Sequence, residues 1–186
     1  MRTRLVTPPS IELVTLDEAK TQLRVDGTDE DFHIAGLITS MSVECEQIAR
    51  RAFLTQTWDL TLDGWPSESE IVLPYPPLQS VTSISYIDSD GVTHTMSTSD
   101  YFVDSSGDPG RVCLQYGKSW PGVTLRPRSA IQIRFVAGWS DPYLVPASYR
   151  QALLLRLSNH FENRGDANGA SNEVSDKLLM VDRGGW

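Results

Sequence analysis

Residues 34–62 read IAGLITSMSVECEQIARRAFLTQTWDLTL, and the spacing of the apolar residues changes within this stretch. From Ile34 to Ala52 the apolar residues recur every three or four positions, which is typical of an amphipathic helix. From Thr57 to Leu62 polar and apolar residues alternate, which is typical of a strand with one buried face. The stretch therefore predicts a long helix that ends at about Phe53 and is followed directly by a β-rich region.

The ends of this helix, and the start of a shorter helix before it, carry their own signals. Carboxylates occupy positions 29–31, where negative charge favours the start of a helix. Arg50 and Arg51 are expected in the last turn, where positive charge is favourable. Upstream, Thr15 and Glu18 have the spacing of a capping box, in which each side chain accepts a hydrogen bond from the other residue's backbone N–H. Thr15 is therefore predicted to start a short first helix.

Short β-prone runs separated by turn residues fill the chain from Leu54 to about Gly138. Asp88–Gly91 (DSDG) predicts a tight hairpin, because aspartate and glycine tolerate positive φ. The pattern indicates a small antiparallel sheet or a sandwich. The predicted strands cover residues 57–62, 70–73, 81–87, 92–96, 101–103, 111–114 and 131–136.

Helix is predicted again from Pro146, because proline suits the first position of a helix. The apolar residues of this segment cover more of its surface than one neighbouring helix could bury. We therefore expect the helix, which Gly165 ends, to pack on the long second helix. We also expect Leu155, Leu157 and Phe161 to pack against a neighbouring subunit.

The last 21 residues read as a linker followed by a docking tail. A polar, glycine-containing stretch at 166–172 leads to a short segment that carries Leu178 and Leu179. The sequence then ends in Trp186, whose polar, glycine-rich surroundings give it no evident place in a core. The pattern favours docking to a partner protein, so removal of residues 175–186 is expected to leave the folded body intact.

The predicted fold class is α+β. Helices from the N-terminal and C-terminal parts form a bundle, and an antiparallel sheet or sandwich region is inserted between them. The predicted division has an N-terminal helical part at 1–53, a β-rich insert at 54–140, a C-terminal helix at 141–165 and a linker with a docking tail at 166–186.

Composition limits the classes of function. Acidic residues outnumber basic ones by 24 to 16, which gives a formal net charge of −8 and a pI near 4.8. Proteins that grip nucleic acid gain affinity by neutralising phosphates with Lys and Arg, so this balance disfavours such a role. Plain solubility and a DNA conduit with weak adhesion both remain open. The sequence contains no run of about 18 apolar residues, so no membrane span is predicted. A signal peptide is not expected either, because Pro8 and Pro9 follow the basic N-terminus where such a peptide would need an apolar core.

Three groups of residues resemble chemical motifs, and each departs from its pattern. Gly117-Lys118-Ser119 looks like the end of a phosphate-binding loop, but Val112 occupies the position of the required glycine. The Asp88–Gly91 run has glycine fourth, where a calcium-binding EF-hand loop needs it sixth. None of the histidines has a second ligand at the spacing of a metal site; they are His33, His94 and His160.

From these residues we expect a protein that is not an enzyme and that binds neither a cofactor nor a metal. The sequence lacks a GxSxG elbow, although it leaves a Ser–His–Asp arrangement open. Cys45 and Cys113 are far apart and lie in apolar patterns, so both are predicted to be buried free thiols. Trp58 is expected in a core, whereas core and interface stay open for Trp120 and Trp139.

Seven segments, taken in order, resemble the head–tail connector proteins of tailed phages, of the gp6-like type, in the longer variety that carries a β insert. Each is a packing or turn motif, and none is chemical. The likeness lies in their order along nearly the whole chain. The segments are Val14–Val25, Leu54–Leu60, Leu73-Pro74 with Pro76–Val81, Asp88–Gly91, Tyr116–Pro121, Phe135–Trp139 and Phe161–Arg164.

The resemblance implies a homo-oligomeric ring, typically of twelve subunits, that docks beneath the portal protein and extends the DNA channel towards the tail. It implies that Leu178, Leu179 and Trp186 dock to the portal. A stopper or tail-completion protein is then the partner on the other side, and DNA passes through without specific binding. The expected location is the neck of the virion, after synthesis in the host cytoplasm, without contact to a membrane. The alternative is another structural protein of the neck, such as a stopper or a tail-completion subunit.

Overall fold

The computed structural model describes residues 1–163 and 172–181, and the chain divides into two compact units. The β unit consists of Met1–Pro9 and Thr55–Gly138. The helical unit consists of Ser10–Leu54 and the chain from Trp139 onwards. Helices from before and after the inserted antiparallel region share one unit, so the predicted α+β class is confirmed.

The described part of the helical unit contains four α-helices and a short 3₁₀ turn at Pro142–Leu144. Its core lies between the helices, and Phe53 stacks on Tyr149 there with ring centroids 5.0 Å apart. The helices are α1 (Leu16–Leu23), α2 (Asp31–Ala49), α3 (Ala147–Glu162) and α4 (Glu173–Met180).

The β unit contains two antiparallel sheets in the part of the chain described. The larger sheet has the strand order β1-β2-β8-β4-β5, and the smaller has the order β3-β7-β6. The strands are β1 (Arg2–Thr7), β2 (Gln56–Leu62), β3 (Glu70–Val72), β4 (Leu78–Ile87), β5 (Thr93–Thr95), β6 (Tyr101–Asp104), β7 (Arg111–Leu114) and β8 (Ile131–Ala137).

The capping box at the start of α1 is confirmed. Thr15 Oγ1 accepts a hydrogen bond from the Glu18 N–H at 3.2 Å, and Glu18 Oε2 accepts one from the Thr15 N–H at 2.9 Å. The pair satisfies two backbone donors that the first turn leaves without helical partners, and such a cap stabilises a helix by about 1 kcal/mol.

The predicted end of the second helix is wrong. α2 ends at Ala49, and Arg50 lies in the left-handed region with φ of 54°, so neither Arg50 nor Arg51 is in the last turn. The residues that follow, Ala52–Leu54, are still buried in the helical core. The spacing of apolar residues indicates which residues are buried, and here the chain stays buried after the helix has ended. The pattern therefore placed the end of the helix too late.

β1 was not predicted from the sequence, which assigned residues 1–53 to a helical part. The strand pairs antiparallel with β2, and Arg4 lies opposite Asp59. It is one of the two edge strands of the larger sheet as described, and its residues are exposed or only partly buried. An edge strand with so little burial lacks the clean apolar alternation that identifies a strand.

The predicted hairpin at Asp88–Gly91 is confirmed. β4 and β5 pair antiparallel on either side of it, and Gly91 has a φ of +83°. Asp88 Oδ1 accepts hydrogen bonds from the N–H groups of Asp90 and Val92 at 3.0 and 2.9 Å. The positive φ at Gly91 requires a residue without a Cβ penalty.

The two cysteines differ in environment. Cys45 is fully buried in the helical core, and burial raises the pKa of its thiol to about 12. Cys113 on β7 is only partly buried, so the prediction that both thiols are buried is correct for Cys45 alone.

Candidate interaction surfaces

The acidic loops of the β unit have the geometry of turns. The second carboxylate oxygen of Asp88 lies 2.6 Å from His94 Nε2, and this hydrogen bond, together with those from the turn, lowers the pKa of Asp88. Asp104 Oδ1 accepts from both the N–H and the hydroxyl of Ser106. Both carboxylates are therefore used by their own loops. Within residues 1–163 and 172–181 no group of three or more His, Cys, Asp and Glu side chains could hold a metal ion.

The Gly117-Lys118-Ser119 segment is also a turn. Gly117 has a φ of +74°, and the Lys118 N–H donates to the Gln115 carbonyl at 2.9 Å, directly after β7 ends. The Lys118 ammonium lies 2.7 Å from Asp100 Oδ1. The lysine that a phosphate site would need is thus paired with a carboxylate, and no helix begins here to receive a phosphate.

Aromatic side chains fix the loops of the β unit. Trp65 and Trp120 stack with centroids 5.0 Å apart and planes within 3°, and Trp120 Nε1 donates to the Glu68 carbonyl. Trp58 stacks on Tyr75 at 4.3 Å. In the helical unit, Trp139 packs against the core. These tryptophans serve packing within their own units.

One face of the larger sheet carries a polar groove of about 660 Å³. Its floor holds Asp59, which is 3% exposed and accepts two hydrogen bonds from Arg134 (2.8 and 2.9 Å) and one from Gln132 (2.6 Å). The Arg134 bonds are the main reason why the pKa of Asp59 lies below its ordinary value. Arg2 and Arg4 also line the groove. The Asp59–Arg134 pair joins β2 to β8 and is a structural contact of this sheet.

Asp59→Asn is expected to lower the free energy of unfolding by about 1–3 kcal/mol at neutral pH. The reason is that the acceptor of the Arg134 hydrogen bonds changes from a negatively charged carboxylate to a neutral amide. A carboxylate whose pKa is depressed in the folded state stabilises the fold above its unfolded pKa and loses that effect as the pH falls through the folded pKa. The difference between wild type and variant should therefore shrink below about pH 4. Urea unfolding at about pH 7 and about pH 3 measures it.

The matched control is Asp90→Asn, which makes the same chemical change at an exposed carboxylate in the β4–β5 turn. It is expected to change the free energy of unfolding by less than about 0.5 kcal/mol at either pH. If Asp59→Asn were equally silent, the Asp59–Arg134 pair would contribute nothing to the fold.

Arg156 forms a polar centre within the helical unit. Its side chain is 2% exposed, and its guanidinium pairs with Glu44 of α2 and Asp176 of α4. Its Nε donates to Ser175 Oγ at 2.9 Å, and that hydroxyl donates to the Ala152 carbonyl at 3.0 Å. Three helices therefore meet at one guanidinium, and α4 is attached to the helical unit.

The residues predicted to contact partners differ in how deeply they are buried. Leu157 and Leu179 are completely buried in the core of their own chain. Leu155, Phe161 and Leu178 are partly buried. Trp186 lies outside the described residues, as does Gly165.

The burial of α4 corrects the expectation that residues 175–186 can be removed without loss of the folded body. Ser175 and Leu179 are buried, and they lie one turn apart on the face of α4 that meets the core. Their removal would expose the residues of α3 on which they pack. Nothing in the local sequence distinguishes an apolar pair that docks to a partner from one that docks to its own chain.

The helical unit has a groove of about 550 Å³ that the sequence did not predict. Its walls come from the end of α1, the second half of α3 and the start of α4. Leu23 and Leu155 are its partly buried apolar residues, and Val174 is 63% exposed at its edge. The remaining lining residues are Gln22, Arg24, Ser158, Asn159, Glu162, Asn172 and Ser175.

Apolar side chains also stand on the outside of the helical unit. Phe32, in the first turn of α2, is 94% exposed, and Val43 on the same helix is 47% exposed. Tyr143 and Leu144 of the 3₁₀ turn are 84% and 61% exposed. Among the described residues no helix is both long enough and apolar enough to cross a membrane.

No protein-family model matches the chain, and no curated protein matches it. Solved structures do share its fold. A chain in the neck of an empty gene transfer agent (GTA) particle, computed with C6 symmetry, has a TM-score of 0.80 and 22% identity, covering 97% of this chain and 94% of that one. A chain in the virion of a native GTA particle has a TM-score of 0.79, 20% identity and the same coverage. A chain in the native GTA neck, computed with C12 symmetry, has a TM-score of 0.78, 20% identity and coverage of 97% and 93%.

Proposed function

We propose that this chain is a structural adaptor subunit in the neck of a tailed phage or phage-like particle. Copies of it form a ring beneath the portal protein, and the ring extends the DNA channel and joins head to tail. The observation that carries this proposal is the likeness in fold to chains of GTA necks and virions, which covers 97% of the chain and therefore both of its units. The proposed location is the virion neck, after synthesis in the host cytoplasm.

The chemistry of the described residues supports a structural role over an enzymatic one. The loops with motif-like sequences are turns whose polar groups are used locally, as at Asp88 and Lys118. The buried polar groups Asp59 and Arg156 are paired with partners from other strands or helices. Paired groups of this kind hold neighbouring strands or helices together.

The ring proposal draws on symmetry and on charge. The GTA necks were computed with C6 and C12 symmetry, both of which relate identical chains around an axis. A net charge of −8 suits a channel through which DNA passes without specific binding, because like charges do not adhere. Twelve copies is the proposed number, with the portal on one side and a stopper or tail-completion protein on the other.

The contacts proposed within this assembly are chosen by how exposed each side chain is. Leu155 and Phe161, which are partly buried, are proposed to pack against the neighbouring subunit, and Leu157 supports that surface from within the core. The tail is proposed to meet the portal through Leu178 and Trp186. Leu179 holds α4 in place beneath that contact, since it is completely buried.

A portal-binding experiment tests the proposal. The purified full chain is mixed with isolated portal protein and studied by native mass spectrometry and negative-stain imaging. We expect rings, either of the chain alone or on the portal. A chain that stays monomeric and ignores the portal would overturn the proposal. Binding to a preformed adaptor–portal complex, without binding to the portal itself, would favour the alternative of a stopper or tail-completion protein.

A further inference from the structure

We propose that the polar groove of the larger sheet binds the phosphate backbone of double-stranded DNA through Arg2, Arg4 and Arg126. This surface is called the arginine groove below. The choice of DNA as the ligand rests on the proposed function, in which DNA passes through a ring of these subunits. The chemistry of the contact rests on the charges and polar groups of the β unit itself.

The arginine groove carries a charge opposite to that of the whole chain. It has a volume of about 660 Å³, and Arg2, Arg4 and Arg126 all line it, whereas Asp59 is the one carboxylate among its described lining residues. That carboxylate is already paired with Arg134. The chain as a whole has a formal net charge of −8. Positive charge is therefore concentrated on one face of a sheet in an acidic protein, and such a concentration attracts an anionic ligand.

Arg2 and Arg4 keep their charges available for a ligand. Both are exposed residues of the edge strand β1, and among residues 1–163 and 172–181 neither guanidinium has a hydrogen bond or an ion pair. Asp59 lies opposite Arg4 in the sheet, but its oxygens accept hydrogen bonds from side chains of β8. Asp63, a further carboxylate on which the charge of Arg2 acts, accepts a hydrogen bond from the Ser129 N–H at 2.6 Å.

Arg126 is held in position by a neutral group. Its Nε donates to the Ser129 carbonyl at 3.1 Å, and its Nη2 donates to the same oxygen. A carbonyl oxygen does not neutralise a guanidinium, so the positive charge of this partly buried side chain is retained. An arginine that is already fixed loses less conformational entropy when it binds a ligand than one that moves freely.

The other polar groups of the arginine groove suit phosphate oxygens. Arg2, Thr61, Gln132 and Ser85 lie opposite one another in turn and form one row across four strands. Neighbouring strands are about 4.8 Å apart, so the row extends over about 14 Å and has room for more than one phosphate. Arginine, hydroxyl and amide side chains are the groups that contact phosphate and sugar in protein–DNA complexes.

The composition of the groove favours duplex DNA over two alternatives. An acidic partner protein would need an apolar centre for its interface, but Ile87 and the buried Ala130 are the apolar residues among the described lining residues. Interfaces with DNA are more polar and more positively charged than those between proteins. Single-stranded DNA is held by stacking on aromatic rings, and none of the described lining residues is aromatic.

A phosphate contact agrees with the passage of DNA through a channel. Phosphate groups are the same in every sequence, so contacts to them carry no sequence specificity. Three arginines in each copy give a weak contact that salt weakens further. The acidic remainder of the chain also repels DNA. The arginine groove would therefore position the DNA and still let it move.

Replacement of the two exposed arginines tests the contact. Fluorescence anisotropy measures binding of the purified full chain to two labelled duplexes of unrelated sequence, and wild type is expected to bind both equally. Arg2→Gln/Arg4→Gln is expected to lower the affinity at least about tenfold at about 50 mM salt. It should also reduce the slope of log affinity against log salt by at least about 1.8, because each lost phosphate contact contributes about 0.9.

Arg24→Gln/Arg50→Gln is the matched control. It removes the same amount of positive charge, and both arginines are exposed residues of the helical unit. Attraction of DNA by the charge of the whole chain would make the two double variants bind equally. We expect the control to bind the duplexes within about twofold of wild type, since exposed charges outside the contact are screened by salt. Thermal unfolding of both double variants should equal that of wild type, because all the replaced side chains are exposed.

The inference would be overturned by a wild type that binds neither duplex at about 50 mM salt, or by equal binding of the two double variants. Polyglutamate and inorganic phosphate are tested on the same samples. Tighter binding of polyglutamate than of the duplexes would make the groove a docking site for an acidic protein. Binding of inorganic phosphate without binding of the duplexes would make it a site for a small anion. Either result would also overturn the inference.

Ring formation is followed separately, so that the two proposals can fail independently. Arg2→Gln/Arg4→Gln should form rings wherever wild type does, because the arginine groove is proposed to meet DNA and not a neighbouring copy. A wild type that forms no ring, with or without portal, overturns the proposed function. The binding measurements alone decide whether the arginine groove takes duplex DNA.

Discussion

Replacement of Glu44 by Gln and Asp176 by Asn in one chain is expected to lower the free energy of unfolding by about 3–5 kcal/mol. Both amides can still accept a hydrogen bond, so the change removes negative charge and keeps the shape. Arg156 then stays buried at 2% exposure without either of the two carboxylates that pair with it in the described structure. Arginine does not lose its proton in a protein, so the penalty cannot be relieved by a change of protonation.

Arg156→Met is the informative control for that pair of changes. A methionine fills much of the same space, and the two carboxylates left behind are 39% and 40% exposed, so water solvates them. Replacement of a buried ion pair by an apolar residue is often close to neutral. The methionine variant should therefore be more stable than the Glu44→Gln/Asp176→Asn variant, and Arg156→Met added to that variant should recover most of the loss.

Urea unfolding of the three variants measures these differences. The account of a buried charge held by two carboxylates would be wrong if Arg156→Met destabilised the chain more than the loss of both carboxylates did. The order of the variants decides the matter, so the test does not depend on the absolute size of any one effect.

The change from helix to strand could be predicted because it involves two different periodicities. The apolar residues of α2 recur at the helical spacing, and those of β2 alternate, so each element carries its own signal. The capping box and the Asp88–Gly91 hairpin were also predictable, because both depend on residues close in sequence. β1 was missed because an edge strand with little burial has no such pattern.

The interaction surfaces were harder to predict for a different reason. The groove brings together Leu23, Leu155 and Val174, which are far apart in sequence, so no local pattern describes it. Arg156 did leave a signal, since it falls on the buried stripe of α3 between Leu153 and Leu157. A charged residue at a core position of an apolar stripe indicates a buried polar contact, although the sequence does not name its partners.

Leu179→Ala is expected to lower the free energy of unfolding by about 2–5 kcal/mol, the usual cost of truncating a completely buried leucine. Leu178→Ala on the same helix is the matched control, because that side chain is only partly buried and should lose less. Thermal or urea unfolding compares the two, and a portal pull-down of each variant is made in parallel. The contrast separates the two roles considered for this leucine pair. If Leu179→Ala weakened portal binding and left stability unchanged, Leu179 would be a contact with the partner and not a core residue of α4.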